Sequence, residues 1–129
     1  MQISTVLGNG MVLQREVQNP VWGYTRPGEK VQLIIGEHHL ETQSDKDGYF
    51  EILLPSMKAG GPWEIRLWDT TGRYVFQDVL FGDVFLLGGQ SNMELPLSWI
   101  WDQVKEELAE IRNEQIRMFD LPKEYDFLK

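Results

Sequence analysis

The residue in this chain best placed to do chemistry is Ser91. Residues 85–96 read FLLGGQSNMELP: an apolar run stops at Gly88 and Gly89, and a serine follows after Gln90. A hydroxyl is a weak nucleophile unless a base removes its proton and donors stabilise the oxyanion that forms. Placing the serine on a sharp strand-to-helix turn would expose its oxygen at the carboxyl end of a sheet, where open α/β folds bind ligands. It would also bring the backbone N–H of Ser91 or its neighbour close to the developing charge. Small residues must clear that space, and the two glycines do so. The same pattern is also an ordinary turn, because glycine-rich turns with a serine cap begin many helices. On spacing alone, the plain turn is the commoner outcome.

A base for Ser91 has to be a titratable group, and the choices are few. The histidines are His38 and His39, side by side in an apparent strand. Neighbours in a strand point to opposite faces, so the pair does not make one site, and both are expected to be ordinary strand residues. Glu94 and Asp83 flank the turn, and paired carboxylates can exchange protons, but hydrogen bonding around the turn is the simpler role. The DKDG stretch at 45–48 has the look of a calcium loop. Such a loop needs a further acid two positions earlier and a glutamate six positions after the glycine. Gln43 and Leu54 stand there instead, so a hairpin turn is expected and no metal site. Trp22, Trp63 and Trp68 could stack on a sugar ring. Core packing suits Trp22 and Trp63 better, whereas Trp68 sits on a more polar face.

The elements that would position these groups fall into two kinds. From residue 1 to about 82, short runs such as KVQLIIG, HLETQS, YFEILLP, WEIRLWD and YVFQDVLF are separated by turn signals: Asn9-Gly10, Pro27-Gly28, Asp47-Gly48, Gly60-Gly61-Pro62 and DTTG at 69–72. In WEIRLWD, Trp63, Ile65 and Leu67 share one face while Glu64, Arg66 and Trp68 share the other. Five to seven strands at this spacing predict a small antiparallel β-sandwich, or jelly-roll-like domain. The pattern then changes. DVFLLGG is nearly continuous in apolar residues, as expected of a strand covered on both faces in a parallel sheet. Trp101, Val104, Leu108 and Ile111 form one stripe of a helix over 98–112, its acidic Glu106, Glu107 and Glu110 forming a solvated face. QIRMFDLP then reads as a second strand ended by Pro122. Strand, helix, strand is a single βαβ unit. The expected fold is therefore mainly β, with a sandwich over 1–82 followed over 83–129 by the first βαβ unit of an incomplete α/β domain. So small a unit leaves apolar edges uncovered, making association with a missing C-terminal part or another copy of the chain plausible.

Composition limits the partners. A net charge of −8 over 129 residues argues against nucleic acid and anionic membrane, whose phosphates call for clustered Lys and Arg. The absence of cysteine removes disulfides and thiolate metal sites. MQISTVLGNG lacks a basic segment followed by a long apolar run, so no signal peptide is expected in this chain. No window reaches the roughly 18 apolar residues of a membrane span, and a soluble protein is expected.

GDVFLLGGQSNMELPL, residues 82–97, resembles the first sequence block of the sialate O-acetylesterases, carbohydrate esterases of the SGNH hydrolase superfamily. NGMVLQRE at 9–16, VWGYTRPGEKV at 21–31, DKDGYFEILLP at 45–55 and AGGPWEI at 59–65 are similar to the N-terminal β-domain of those enzymes, and IRMFDLP at 116–122 to their second α/β strand. Gly88 departs from the serine or alanine often found before the Gly-Gln-Ser-Asn-Met core. The resemblance implies that Ser91 is the nucleophile and supplies one oxyanion N–H, with Gly89, Gln90 and Asn92 shaping the supporting loop. It implies hydrolysis of O-acetyl esters on sialic acid or another acetylated sugar, without a cofactor. It also implies that the remaining oxyanion donors, and the His with its Asp partner, lie in later blocks that this chain lacks, so the chain alone is expected to be inactive. The contrasting expectation is a non-enzymatic sandwich that binds glycan or a protein partner.

Overall fold

The computed structural model of the chain describes residues 1–89 and 95–121. Among them run β1 (Gln2–Ile3), β2 (Val12–Gln14), β3 (Pro20–Tyr24), β4 (Lys30–Ile35), β5 (His38–Gln43), β6 (Tyr49–Leu53), β7 (Gly60–Trp68) and β8 (Arg73–Gly82). A 3-10 turn, Leu97–Ile100, then leads into α1 (Trp101–Glu110). The strands form a three-stranded sheet ordered β1-β3-β6 and a five-stranded sheet ordered β2-β8-β7-β4-β5. The mainly β, two-sheet architecture is the one expected from the sequence.

Alternation sets the inner faces. Val31, Leu33 and Ile35 of β4 are fully buried, and register places Leu33 opposite Leu40 and Leu67, and Ile35 opposite Ile65. The other sheet contributes Val21, Phe50 and Ile52 to the same buried cluster. Burying a side chain of this size is worth roughly 1.5–3 kcal/mol, so this seam is the main force holding the sandwich. Two glycines make the turns possible. Gly36, at φ +55°, turns the two-residue loop joining β4 to β5. Gly48, at φ +83°, lies so near the Thr25 carbonyl that a Cβ would stand 2.3 Å from its oxygen. The expected Trp63, Ile65, Leu67 face is also found: Ile65 and Leu67 are fully buried and Trp63 packs against them.

Two features of the sheets were not expected. β2 pairs with β8 in parallel, Val12 opposite Leu80 and Gln14 opposite Gly82, so the sandwich is not purely antiparallel. β8 also carries an extra residue. Trp63 opposes Val79 while Ile65 opposes Phe76, so Phe76 and Val79 both reach the core although three positions apart. Asp78, at φ +58°, absorbs this bulge. Asn9 Oδ1 accepts the Gln77 N–H at 2.8 Å, and Arg117 Nη2 meets Asp78 Oδ1 at 2.9 Å.

The α/β part departs from expectation. The helix forms, as the 3-10 turn and α1, within the predicted 98–112 to within a few residues. The two strands meant to flank it do not form: residues 83–89 and 115–121 carry no ladder. Phe85, Leu86 and Leu87 are 79%, 89% and 73% exposed, where a buried strand was expected. The physical reason is that a parallel strand exists only through hydrogen bonds to its neighbours, and no described segment offers one. Two compact units result: Met1–Asp83 with the segment beginning at Arg117, and Val84–Ile116.

Candidate active site

The segment leading toward Ser91 leaves the sandwich at a pinned corner. The parallel β2–β8 ladder ends with Gln14 opposite Gly82, and the Arg15 N–H donates to the Gly82 carbonyl at 2.9 Å. Arg15 Nε then donates to Asp83 Oδ1 at 2.8 Å, while its Nη1 lies 3.1 Å from Glu16 Oε2. The hydrogen bond and charge of Asp83, with Glu16 adding to them, raise the Arg15 pKa above its already high value. Asp83 is therefore engaged as an acceptor for a surface cation, which suits an anchor and not a proton-transfer group.

Past this corner Val84–Leu87 run exposed, and Gly88 and Gly89 are exposed too. A Cβ at Gly88 would meet nothing within 4 Å, so the space the sequence pattern calls for is open there. Of the expected site residues, Gly89 is described. Gln90, Ser91 and Asn92, together with Glu94, lie outside the described residues.

The remaining sequence candidates resolve into structural roles. His38 and His39 occupy β5, the last strand of its sheet, and both are exposed. Asp45 Oδ1 accepts from the Asp47 and Tyr49 N–H groups, each at 2.9 Å, so the DKDG stretch is a capped turn leading into β6. Among the described residues no three potential metal ligands cluster. Nor is any described helix long and apolar enough to cross a membrane. Trp22 and Trp63 pack against the core, as their alternation suggests.

One polar network gave no signal in the pattern of apolar residues. Asp69, at the β7–β8 turn, accepts from Thr71 N and Oγ1, each at 2.7 Å, and from Gly72 N at 2.8 Å. Its other oxygen takes the Thr25 hydroxyl from the β3 end of the opposite sheet. Burial alone would push the Asp69 pKa up, but these four donors outweigh it and hold the carboxyl below its usual value. The DTTG text marks a turn; the tie to Thr25 depends on tertiary structure.

Comparison with known proteins supplies the context for this geometry. No family model matches the chain. It is 31% identical to the mouse (Mus musculus) sialate O-acetylesterase over 131 aligned positions, 93% of this chain and 24% of that protein. It is 33% identical to the human (Homo sapiens) sialate O-acetylesterase over 117 positions, 81% of this chain and 22% of that protein. Among solved structures, a carbohydrate acetylesterase from Xanthomonas citri superposes with a TM-score of 0.87 at 35% identity, covering 95% of this chain and 28% of the other. The chain thus spans about a quarter of the length of the curated relatives it matches. In sequence and in fold, along most of its length, this chain is a homologue of the sialate O-acetylesterase family.

Proposed function

We propose that the chain supplies the nucleophile-bearing part of a serine carbohydrate esterase that removes acetyl groups from sugar hydroxyls. The observation that carries this is the Gly-Gln-Ser-Asn-Met sequence of residues 89–93 in a chain homologous over 93% of its length to a sialate O-acetylesterase. In this reading residues 1–82 are the supporting sandwich, and 83–129 are the first fragment of an SGNH-type α/β domain. The exposed Phe85, Leu86 and Leu87 are the apolar surface such a strand would bury once further strands and helices lie on either side.

Ser91 Oγ attacks the acetyl carbonyl while a base takes its proton. The carbonyl π electrons move onto oxygen, where the Ser91 backbone N–H is one donor to the oxyanion. Collapse of the tetrahedral intermediate expels the sugar oxygen, which takes the proton from the now charged base and leaves an acetyl-serine. Water, deprotonated by the same base, attacks that ester, and acetate departs with Ser91 restored. Gly89, Gln90 and Asn92 hold the loop. The family resemblance puts the base His and its Asp partner in later blocks absent from this sequence; within it, Asp83 is engaged by Arg15, and His38 and His39 lie in the sandwich sheet. Losing the base of a serine triad costs on the order of 10⁴–10⁶ in turnover, so the 129 residues alone are close to inactive.

The test is acetate release from O-acetylated sialic acid and from an acetylated neutral sugar, measured on a polypeptide of the relatives' full length. Ser91→Ala should abolish release while leaving the circular dichroism spectrum unchanged. A variant that hydrolyses either substrate at the parent rate removes Ser91 from the mechanism.

A further inference from the structure

The core-facing side of the five-stranded sheet is explained by packing; its outer face is not. Register places Glu41, Gln32, Trp68 and Arg73 in one row across β5, β4, β7 and β8, pointing away from the buried Leu33 and Leu67. The next row carries His39, Ile34 and Arg66. Between these rows lies an open cleft of about 170 Å³, walled by the side chains of Gln32, His39, Glu41 and Trp68, with Leu33 and Leu40 beneath. It adjoins a second depression of about 320 Å³ that shares Glu41 and runs on to Lys30, Thr42 and Gln43. Trp68 is half-buried and takes no part in the core cluster.

We infer that this face, built on Trp68 with Gln32, His39 and Glu41, binds a neutral sugar ring. The chemistry is specific in three respects. The indole is an apolar plane with a negative face, complementary to the C–H groups on one side of a pyranose. A sugar hydroxyl both donates and accepts, and the cleft offers an acceptor-only carboxylate, an amide that does both, and an imidazole that does both. The cleft is smaller than the roughly 300–1,000 Å³ of sites that engulf a drug-sized ligand, and the depression beside it extends along the strand. That shape suits one unit of an oligosaccharide seated with its edges wet.

Charge selects among sugars. Lys30 Nζ sits 2.7 Å from Glu41 Oε2, so the cleft's main anion is already balanced by a cation. Arg66 in the next row is likewise paired, with Glu64 at 2.6 Å, so the charges around the cleft are matched and the ligand favoured is uncharged rather than acidic. The site stands independently of the esterase reading, because it uses none of residues 83–129.

The experiment titrates the ¹⁵N-labelled 129-residue chain with unacetylated xylo-, cello- and manno-oligosaccharides, so that ester cleavage plays no part. The readouts are the Trp68 indole N–H, assigned by its disappearance in Trp68→Phe, and the Gln32 side-chain amide. At least one oligosaccharide should move both signals saturably. Trp68→Ala and Gln32→Ala should each weaken binding by at least about tenfold, equivalent to ~1.4 kcal/mol. If Trp68→Ala fails to fold, Gln32→Ala and Glu41→Ala carry the decision. The inference is overturned if none of the three sugars moves the Trp68 signal, if shifts map to another face, or if affinity survives the folded variants unchanged.

Discussion

Replacing Asp69 with alanine should destabilise the sandwich far more than an ordinary surface substitution. Four hydrogen bonds end on this carboxylate, from Thr25, from both N and Oγ1 of Thr71, and from Gly72 N. Bonds to a charged group are each worth about 1.5–3 kcal/mol net when buried. Three of these lie at the exposed turn, where water substitutes readily, so the full sum does not apply. A total of about 2–3 kcal/mol is the reasonable expectation, dominated by the half-buried tie to Thr25, and it corresponds to a fall of roughly 8–15 °C in Tm for a domain of this size. Asp69→Asn keeps an acceptor but loses the charge, and should cost about 1 kcal/mol. The pH dependence separates the two effects. Because the folded carboxyl titrates below its unfolded value, its charge stabilises fully above the ordinary aspartate pKa of about 3.9. That stabilisation is lost as pH falls through the lower folded value. Urea melts at pH 7 and at several points below pH 4.5 should therefore show wild type losing stability with acid more steeply than Asp69→Asn. An alanine variant as stable as wild type, or an asparagine variant with the same acid slope, would refute the role given to this network.

Two further predictions concern turns and the anchor. Gly48→Ala and Gly28→Ala both force a side chain into left-handed backbone, at φ +83° and +75°, but a Cβ meets the Thr25 carbonyl at 2.3 Å in the first and nothing within 4 Å in the second. Urea midpoints should place Gly28→Ala about 1–2 kcal/mol below wild type and Gly48→Ala clearly lower still; equal losses would contradict the close approach. Asp83→Asn breaks an exposed ion pair with Arg15 and should change stability by no more than about 1 kcal/mol, an effect that added salt should shrink; a larger loss measured by thermal melting would mean the corner holds more of the fold together than its geometry implies.

Much of the sandwich could be read before any coordinates. Val31, Leu33 and Ile35 alternate with Gln32 and Ile34, and Ile65 and Leu67 with Glu64 and Arg66, because each strand has one face on the core and one in water. β1 and β2 were not legible, being two and three residues long and too short to show an alternation. The parallel β2–β8 pairing and the bulge at Asp78 were hidden for a related reason: register depends on partners distant in the chain. The continuous apolar run at 84–87 misled in the opposite direction. Such a run reads as a strand covered on both faces, but with no neighbour to pair with among the described residues it is open chain. The outer-face row was only partly visible. Trp68 could be assigned to the polar face of its strand, but its alignment with Gln32 and Glu41 requires two strand pairings at once. Ser91 stands out in the sequence through the glycines and the apolar run before it, but it lies outside the described residues, and its role as nucleophile remains a proposal.

The most direct measurement of the central claim is to identify which atom the acyl group reaches. A polypeptide of the relatives' full length, treated with a fluorophosphonate that traps activated serines, would be digested and its peptides mapped by mass spectrometry. A single phosphonyl adduct on Ser91, absent from Ser91→Ala, is the predicted result. An adduct on Ser56 or Ser98, or continued acetate release with Ser91 unlabelled, would contradict the assignment.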